Sequence, residues 1–193
     1  YIHNSLFDII EEKKKSFMEF TARPIISQIL QAVFYLHSIG FCHRDIKPHN
    51  ILIKDDGTIV LIDFGLATST SVKNVRCGSK HFFPPEVIQP TKLSENENSQ
   101  SNLLNECPNS FNSFQRYEQN QNNIDIDGIK CDSWSCGVTF FLILTGKMPW
   151  SKMTFDQITS EKIQYPPYLS NECKDFLDKL LTVNPKRRIT IEE

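Results

Sequence analysis

The sequence has no run of about 18 apolar residues, so nothing in it reads as a membrane-spanning helix. Its first residues, Tyr1-Ile2-His3-Asn4, have none of the character of a signal peptide. There is no C-x-x-C pair among the six cysteines Cys42, Cys77, Cys107, Cys131, Cys136 and Cys173. Metal-site spacing is therefore missing, and the thiols read as small core residues of a protein from a reducing compartment. A cytoplasmic location is the default expectation. Excess charge of one sign is missing too: 21 Lys+Arg face 23 Asp+Glu, a net of -2. That balance argues against a nucleic-acid groove or an anionic membrane surface as the main partner. Nothing points to an oligomer, so a monomer is expected. No Met begins the chain, which suggests a fragment.

What is present suits one domain: 193 residues, 39% hydrophobic and 23% charged. Ser16 followed by Glu19 reads as a capping box. After it, Ile25, Ile26, Ile29, Leu30, Val33, Phe34 and Leu36 recur at helical spacing until Gly40. Pro24 interrupts this pattern and predicts a kink, or a helix that effectively starts near Ala22. Ile51-Leu52-Ile53 and Thr58 to Ile62 flank Lys54-Asp55-Asp56-Gly57, which predicts a hairpin. Residues 133–144 are apolar nearly all round, as in a helix buried on every side. Phe176, Leu177, Leu180 and Leu181 give an amphipathic helix capped by Ser170.

Residues 91–123 differ from the rest, since 18 of these 33 are Asn, Gln or Ser. Such a stretch cannot bury enough apolar area to offset its chain entropy. It reads as a disordered insertion within the domain, a tolerated loop more readily than a docking segment.

The chemistry concentrates in His43-Arg44-Asp45-Ile46-Lys47-Pro48-His49-Asn50, followed past the hairpin by Asp63-Phe64-Gly65. Two carboxylates and an amide oxygen are hard-oxygen ligands suited to Mg²⁺, and a nearby Lys suits phosphate. The combination points to phosphoryl transfer, where positioning and charge stabilisation do most of the work.

The first string resembles the protein-kinase catalytic loop H-R-D-x-x-x-x-N, and Asp63-Phe64-Gly65 resembles D-F-G. Pro84-Pro85-Glu86 is similar to A-P-E. Asp132-Ser133-Trp134-Ser135-Cys136-Gly137 looks like the opening of the family's central helix, and Asn184 to Thr190 looks like its D-P-x-x-R-I-T segment. Five motifs in order cover nearly the whole chain. The resemblance implies a mainly α fold, the C-terminal lobe of a protein kinase, with a short β-hairpin between the catalytic and metal loops. No G-x-G-x-x-G and no V-A-I-K lysine occur, so the N-terminal lobe and its sheet are expected to be absent over residues 1–193.

The resemblance also implies roles. Asp45 orients the proton of the substrate hydroxyl, and Asn50 and Asp63 hold Mg²⁺. Lys47, the mark of Ser/Thr kinases, contacts the transferred phosphate of ATP. Leu52 forms the floor under adenine and Ile2 lies in the hinge. His43 and Asp132 are structural supports, and Glu86 and Arg188 form a buried ion pair. The segment Cys77 to Glu86 resembles that of calmodulin-dependent and AMP-activated kinases, with Ser79 shaping the platform for a Ser/Thr-bearing protein substrate. The chain departs from that group at Val75, where an activating Thr is usual, so Arg44 needs another partner: a phosphate on Thr68, Ser69, Thr70 or Ser71, or none. His49 stands where basophilic relatives carry Glu, and Lys80 replaces the usual Pro. A complete protein is expected to be a Ser/Thr kinase. The chain alone is expected to have little activity, the alternative being a non-catalytic lobe that binds partners.

Overall fold

A computed structural model of the protein describes residues 4–13, 16–70, 77–89 and 126–193. The expected insertion at 91–123, Ile2, Ser71 and Val75 lie outside the described residues. The chain opens with β1 (Asn4–Ser5) and α1 (Leu6–Lys13). Ser5 and Asp8 form a capping box: Asp8 N–H donates to Ser5 Oγ at 3.1 Å and Ser5 N–H to Asp8 Oδ2 at 3.0 Å. Ser5 Oγ–H also donates to Asp8 Oδ2 at 2.6 Å, and this bond, then the Ser5 N–H, hold the Asp8 carboxyl below its ordinary range.

The long helix α2 (Glu19–Ser38) begins three residues before Ala22 and runs on through Pro24. The expected box at its start is corrected. Its N-cap is Met18, with no side-chain cap, and Glu19 reaches away from its own helix. The Glu19 carboxylate accepts from Ser170 N–H at 3.0 Å and from Ser170 Oγ at 2.7 Å. A charge-assisted tie to another element has won over local capping.

After α2 come β2 (Phe41–Cys42), the hairpin β3 (Ile51–Ile53) and β4 (Ile59–Leu61), and β5 (Thr68–Ser69). In the hairpin Ile51 faces Leu61, Leu52 faces Val60 and Ile53 faces Ile59. Gly57 takes the left-handed φ of 81° that its turn requires, conformations glycine enters freely. The expectation of one hairpin and no N-terminal sheet is corrected. Among the described residues five strands form two sheets, and the N-terminal strand β1 joins the larger one, antiparallel to β3, in the order β1-β3-β4. The smaller sheet pairs β2 with β5. Backbone N–H and C=O groups that would be left unpaired are satisfied by these short ladders.

The remaining α-helices of the described residues are α3 (Pro85–Ile88), α4 (Gly128–Thr145), α5 (Phe155–Ser160) and α6 (Asn171–Leu180). Helix α4 is the central post. Asp127 caps its start by accepting from the N–H groups of Ile129 and Lys130, and Gly146, at φ 69°, ends it. Trp134, Cys136, Val138, Phe140 and Ile143 on α4 are fully buried, covering all sides of the helix. Cys136, Phe140 and Ile143 meet Ile29 and Val33 of α2 and Leu177 and Leu180 of α6 in the main core, while Trp134 and Val138 pack with Phe82 and Trp150 in a second cluster. Ser170 caps α6, its Oγ accepting from Cys173 N–H at 3.1 Å. No helix among the described residues is long and apolar enough to cross a membrane.

Candidate active site

The loop between β2 and β3 carries the polar cluster, and α4 anchors it from below. Asp132, fully buried, accepts from His43 N–H and Arg44 N–H at 2.8 Å each and contacts His37 Nε2 at 2.9 Å. A buried carboxylate needs such partners to offset the loss of water. His37 was not singled out in the sequence; its place in the last turn of α2 gave no chemical signal. His43, also buried, contacts the Ile62 carbonyl through Nε2 at 3.0 Å and lies 5.0 Å from the Phe64 ring.

This anchoring forces Arg44 into the left-handed region, at φ 67°. Such a conformation costs energy outside glycine and persists only where the surroundings impose it. Arg44 Nε donates to the Leu66 carbonyl at 2.6 Å, which ties the catalytic-type loop to the segment after Gly65.

Asp45 is 7% exposed and carries three kinds of donor. Lys47 Nζ donates to Oδ2 at 2.7 Å, Asn50 Nδ2 donates to Oδ2 at 3.0 Å and to the Asp45 carbonyl at 2.8 Å, and Ser79 N–H donates to Oδ1 at 2.8 Å. Burial pushes its carboxyl up, but the hydrogen bonds from Lys47 and Ser79 and the Lys47 charge outweigh it and hold it below the usual range. Asp45 is therefore ionised at neutral pH. Lys47 Nζ also donates to Ser79 Oγ at 2.7 Å, so carboxylate, ammonium and hydroxyl form one connected set.

Asp63 stands at the end of the hairpin, where Ile62 N–H donates to the Asn50 carbonyl at 2.9 Å. This bond ties Asn50 to the residue preceding Asp63. Asp63 is exposed and left-handed, at φ 63°, and its Oδ1 accepts from Gly65 N–H at 3.4 Å. Asn50 spends its amide nitrogen on Asp45, which leaves its Oδ1 for another partner. An amide oxygen and an exposed carboxylate fit a hard cation such as Mg²⁺.

The remaining predicted residues fall in three places. Leu52 lies in β3, half-buried, opposite Val60 and Ser5. Thr68 and Ser69 sit in β5, and Thr70 N–H donates to the Gly40 carbonyl at 2.8 Å. Glu86 and Arg188 meet far along the chain in a bidentate pair at 2.7 and 2.9 Å. Two features went unnoticed in the sequence. Phe7 stacks on His49 with centroids 3.8 Å apart. Burial, then the Lys47 cation, push the His49 imidazole below its ordinary value, against the carboxylates of Asp8, Asp45 and Glu11. Gly78, at φ 111°, lets the chain approach Arg44 so closely that a Cβ there would lie 2.3 Å from the Arg44 carbonyl oxygen.

The sequence is similar to those of known proteins. A family model described as "Protein kinase domain" matches residues 1–102 and 120–193. A probable serine/threonine-protein kinase of Dictyostelium discoideum is 31% identical over 97% of this chain, which covers 19% of that protein. Sperm motility kinase 3A of Mus musculus is 31% identical over 98% of this chain and 36% of its own length. CBL-interacting serine/threonine-protein kinase 5 of Arabidopsis thaliana is 29% identical over 90% of this chain and 34% of its own. The chain therefore spans roughly a fifth to a third of the length of these relatives. A kinase domain is an ATP-binding transferase, and two of these relatives carry serine/threonine-protein kinase in their names. With the family model matching all but 17 of its residues (103–119), the chain belongs to the protein kinase domain family.

Proposed function

We propose that this protein transfers the γ-phosphate of ATP to Ser or Thr hydroxyls of protein substrates, with Mg²⁺ held by Asn50 Oδ1 and Asp63. The observation that carries the reading is the connected set at Asp45. An ionised carboxylate with Lys47 at 2.7 Å and Ser79 N–H at 2.8 Å is poised to orient a hydroxyl. The acceptor oxygen bonds to phosphorus as the bond to ADP breaks, and the hydroxyl proton passes to Asp45. Lys47 balances charge on the moving phosphoryl group. Asn50 Oδ1 and the Asp63 carboxylate would hold Mg²⁺, whose contribution would be to neutralise phosphate charge. Leu52 lies under the adenine ring and Ile2 belongs to the segment that bonds its edge. His43, Asp132, Glu86 and Arg188 hold the loop and lobe in shape.

Lys47 and the segment Cys77-Gly78-Ser79 favour the Ser/Thr type and the calmodulin-dependent and AMP-activated group. Thr68, Ser69 and Thr70, close to the Leu66 carbonyl that Arg44 grips, are the candidates for a regulatory phosphate. The test compares wild type with Asp45→Asn in a labelled-ATP assay on Ser, Thr and Tyr peptides. Turnover on Ser and Thr, lowered by about 10²–10⁴ in the variant, is expected. Equal rates in both proteins would contradict Asp45 as the catalytic carboxylate. No transfer by either would favour a non-catalytic binding module.

A further inference from the structure

Beside the reacting groups, the chain carries a cation that the phosphate chemistry does not use. We propose that Lys80 reads a carboxylate flanking the acceptor hydroxyl, so that the substrates are acidic peptides. This rests on the kinase reading above and concerns the same site.

The case is one of placement. Surface lysines are ordinary, and the Lys80 side chain is exposed with no hydrogen bond or ion pair among the described residues. What separates it is how firmly its backbone is fixed on both sides. On one side Gly78 packs against the Arg44 carbonyl in a geometry open only to glycine, and Ser79 N–H is bonded to the Asp45 carboxylate. On the other side Phe82 is buried with Trp134 and Trp150, its N–H donates to the Ser79 carbonyl at 2.8 Å, and its carbonyl accepts from Ser135 Oγ at 3.0 Å. Lys80 Cα is one residue, about 3.8 Å, from the Cα of the residue that touches Asp45 and Lys47. A cation anchored so close to the acceptor site, with no side-chain partner among the described residues, favours an anion on the substrate and disfavours a cation. Lys47 cannot play this part, because Asp45 and Ser79 already engage it.

Opposite charge is available elsewhere near the site. Helix α1 presents Asp8, Glu11 and Glu12, and the first two act electrostatically on His49. A preference for basic peptides would trace to that side.

The test measures binding and turnover in parallel, on the full chain. Fluorescent peptides carry one Ser flanked on both sides by Asp, Ala, Lys or phosphoserine. Wild type is expected to bind the Asp peptide roughly two- to fivefold tighter than the Ala peptide, with the advantage shrinking as salt rises. Lys80→Glu should abolish or reverse the order and Lys80→Arg should keep it. Equal affinities, a preference for Lys, an advantage confined to phosphoserine, no binding of any peptide, or an unchanged order in Lys80→Glu would each overturn the proposal. An Asp preference that depends on Lys80, without phosphate transfer, would keep the proposal and remove the kinase reading.

Discussion

Two ion pairs in this protein have the same 2.7 Å contact, yet their surroundings differ in every other respect. Arg188 is 1% exposed, and all five of its N–H donors are used: on Glu86 twice, and on the carbonyls of Thr182, Lys130 and Val183. The Trp134 ring lies 4.8 Å from its guanidinium carbon. Lys47 keeps a fifth of its side chain exposed, and its partner Asp45 shares its oxygens with Asn50 and Ser79. The first pair is closed and has nothing left to give. The second is open on one side and connected to a hydroxyl and to a metal-type residue. The comparison separates a fully satisfied buried pair from one that keeps an open side, the side on which the proposed function would place the phosphate.

The sharpest break in this contrast comes from removing one charge on each side. Asp45→Asn should lower phosphate transfer by about 10²–10⁴ while leaving a cooperative unfolding transition in place. Arg188→Met should do the reverse in kind. It leaves Glu86 without a counter-charge, and urea unfolding should register a loss of about 3–5 kcal/mol. A stability change in Asp45→Asn as large as that in Arg188→Met would erase the distinction. Asp132→Ala tests the link between the regions, since it strips the acceptor from His43 N–H and Arg44 N–H. About 1–3 kcal/mol per orphaned group is expected, accompanied by a fall in turnover. Loss of stability with turnover intact would show that the loop does not need this anchor.

A smaller effect should follow from packing alone. A Cβ on Gly137 would lie 2.9 Å from Leu180 Cβ and from two Leu181 side-chain atoms. Gly137→Ala should therefore cost about 1–3 kcal/mol, read as a shift in the urea midpoint, with the ratio of substrate preferences unchanged. The smallest effect is the pH dependence carried by Asp45. Its folded carboxyl lies below the unfolded value of about 3.9, so the folded state binds fewer protons there. The stability it contributes is full above that value and is lost as pH falls through the lower folded value. Asp45→Asn should flatten the acid side of the stability–pH curve, and an unchanged acid side would contradict the shift.

Much of this was legible in the sequence where the signal is local. Lys54-Asp55-Asp56-Gly57 marked the hairpin, the all-apolar run marked the central helix, and Asp45, Asn50 and Asp63 marked the candidate site. What the sequence concealed depends on distant partners. Glu19 looked like a capping residue until Ser170 competed for it. Strands β1, β2 and β5 have two residues each, too few to show any period, and exist because partners lie alongside. Their joining of β1 to the hairpin is why the expected sheet-free N-terminus was wrong. The Phe7–His49 stack and the close approach at Gly78 likewise arise from tertiary placement, which no spacing rule carries.

The central claim is that Asn50 and Asp63 converge on a metal–nucleotide beside Asp45. Adding Mn²⁺ with ATP to isotope-labelled protein tests it by paramagnetic broadening of amide signals. Broadening concentrated at Asp45, Asn50, Asp63 and Gly65, and lost in Asp63→Asn, is the expected result. Signals at the Arg188 end broadened equally, or no selective broadening at the loop, would contradict the account.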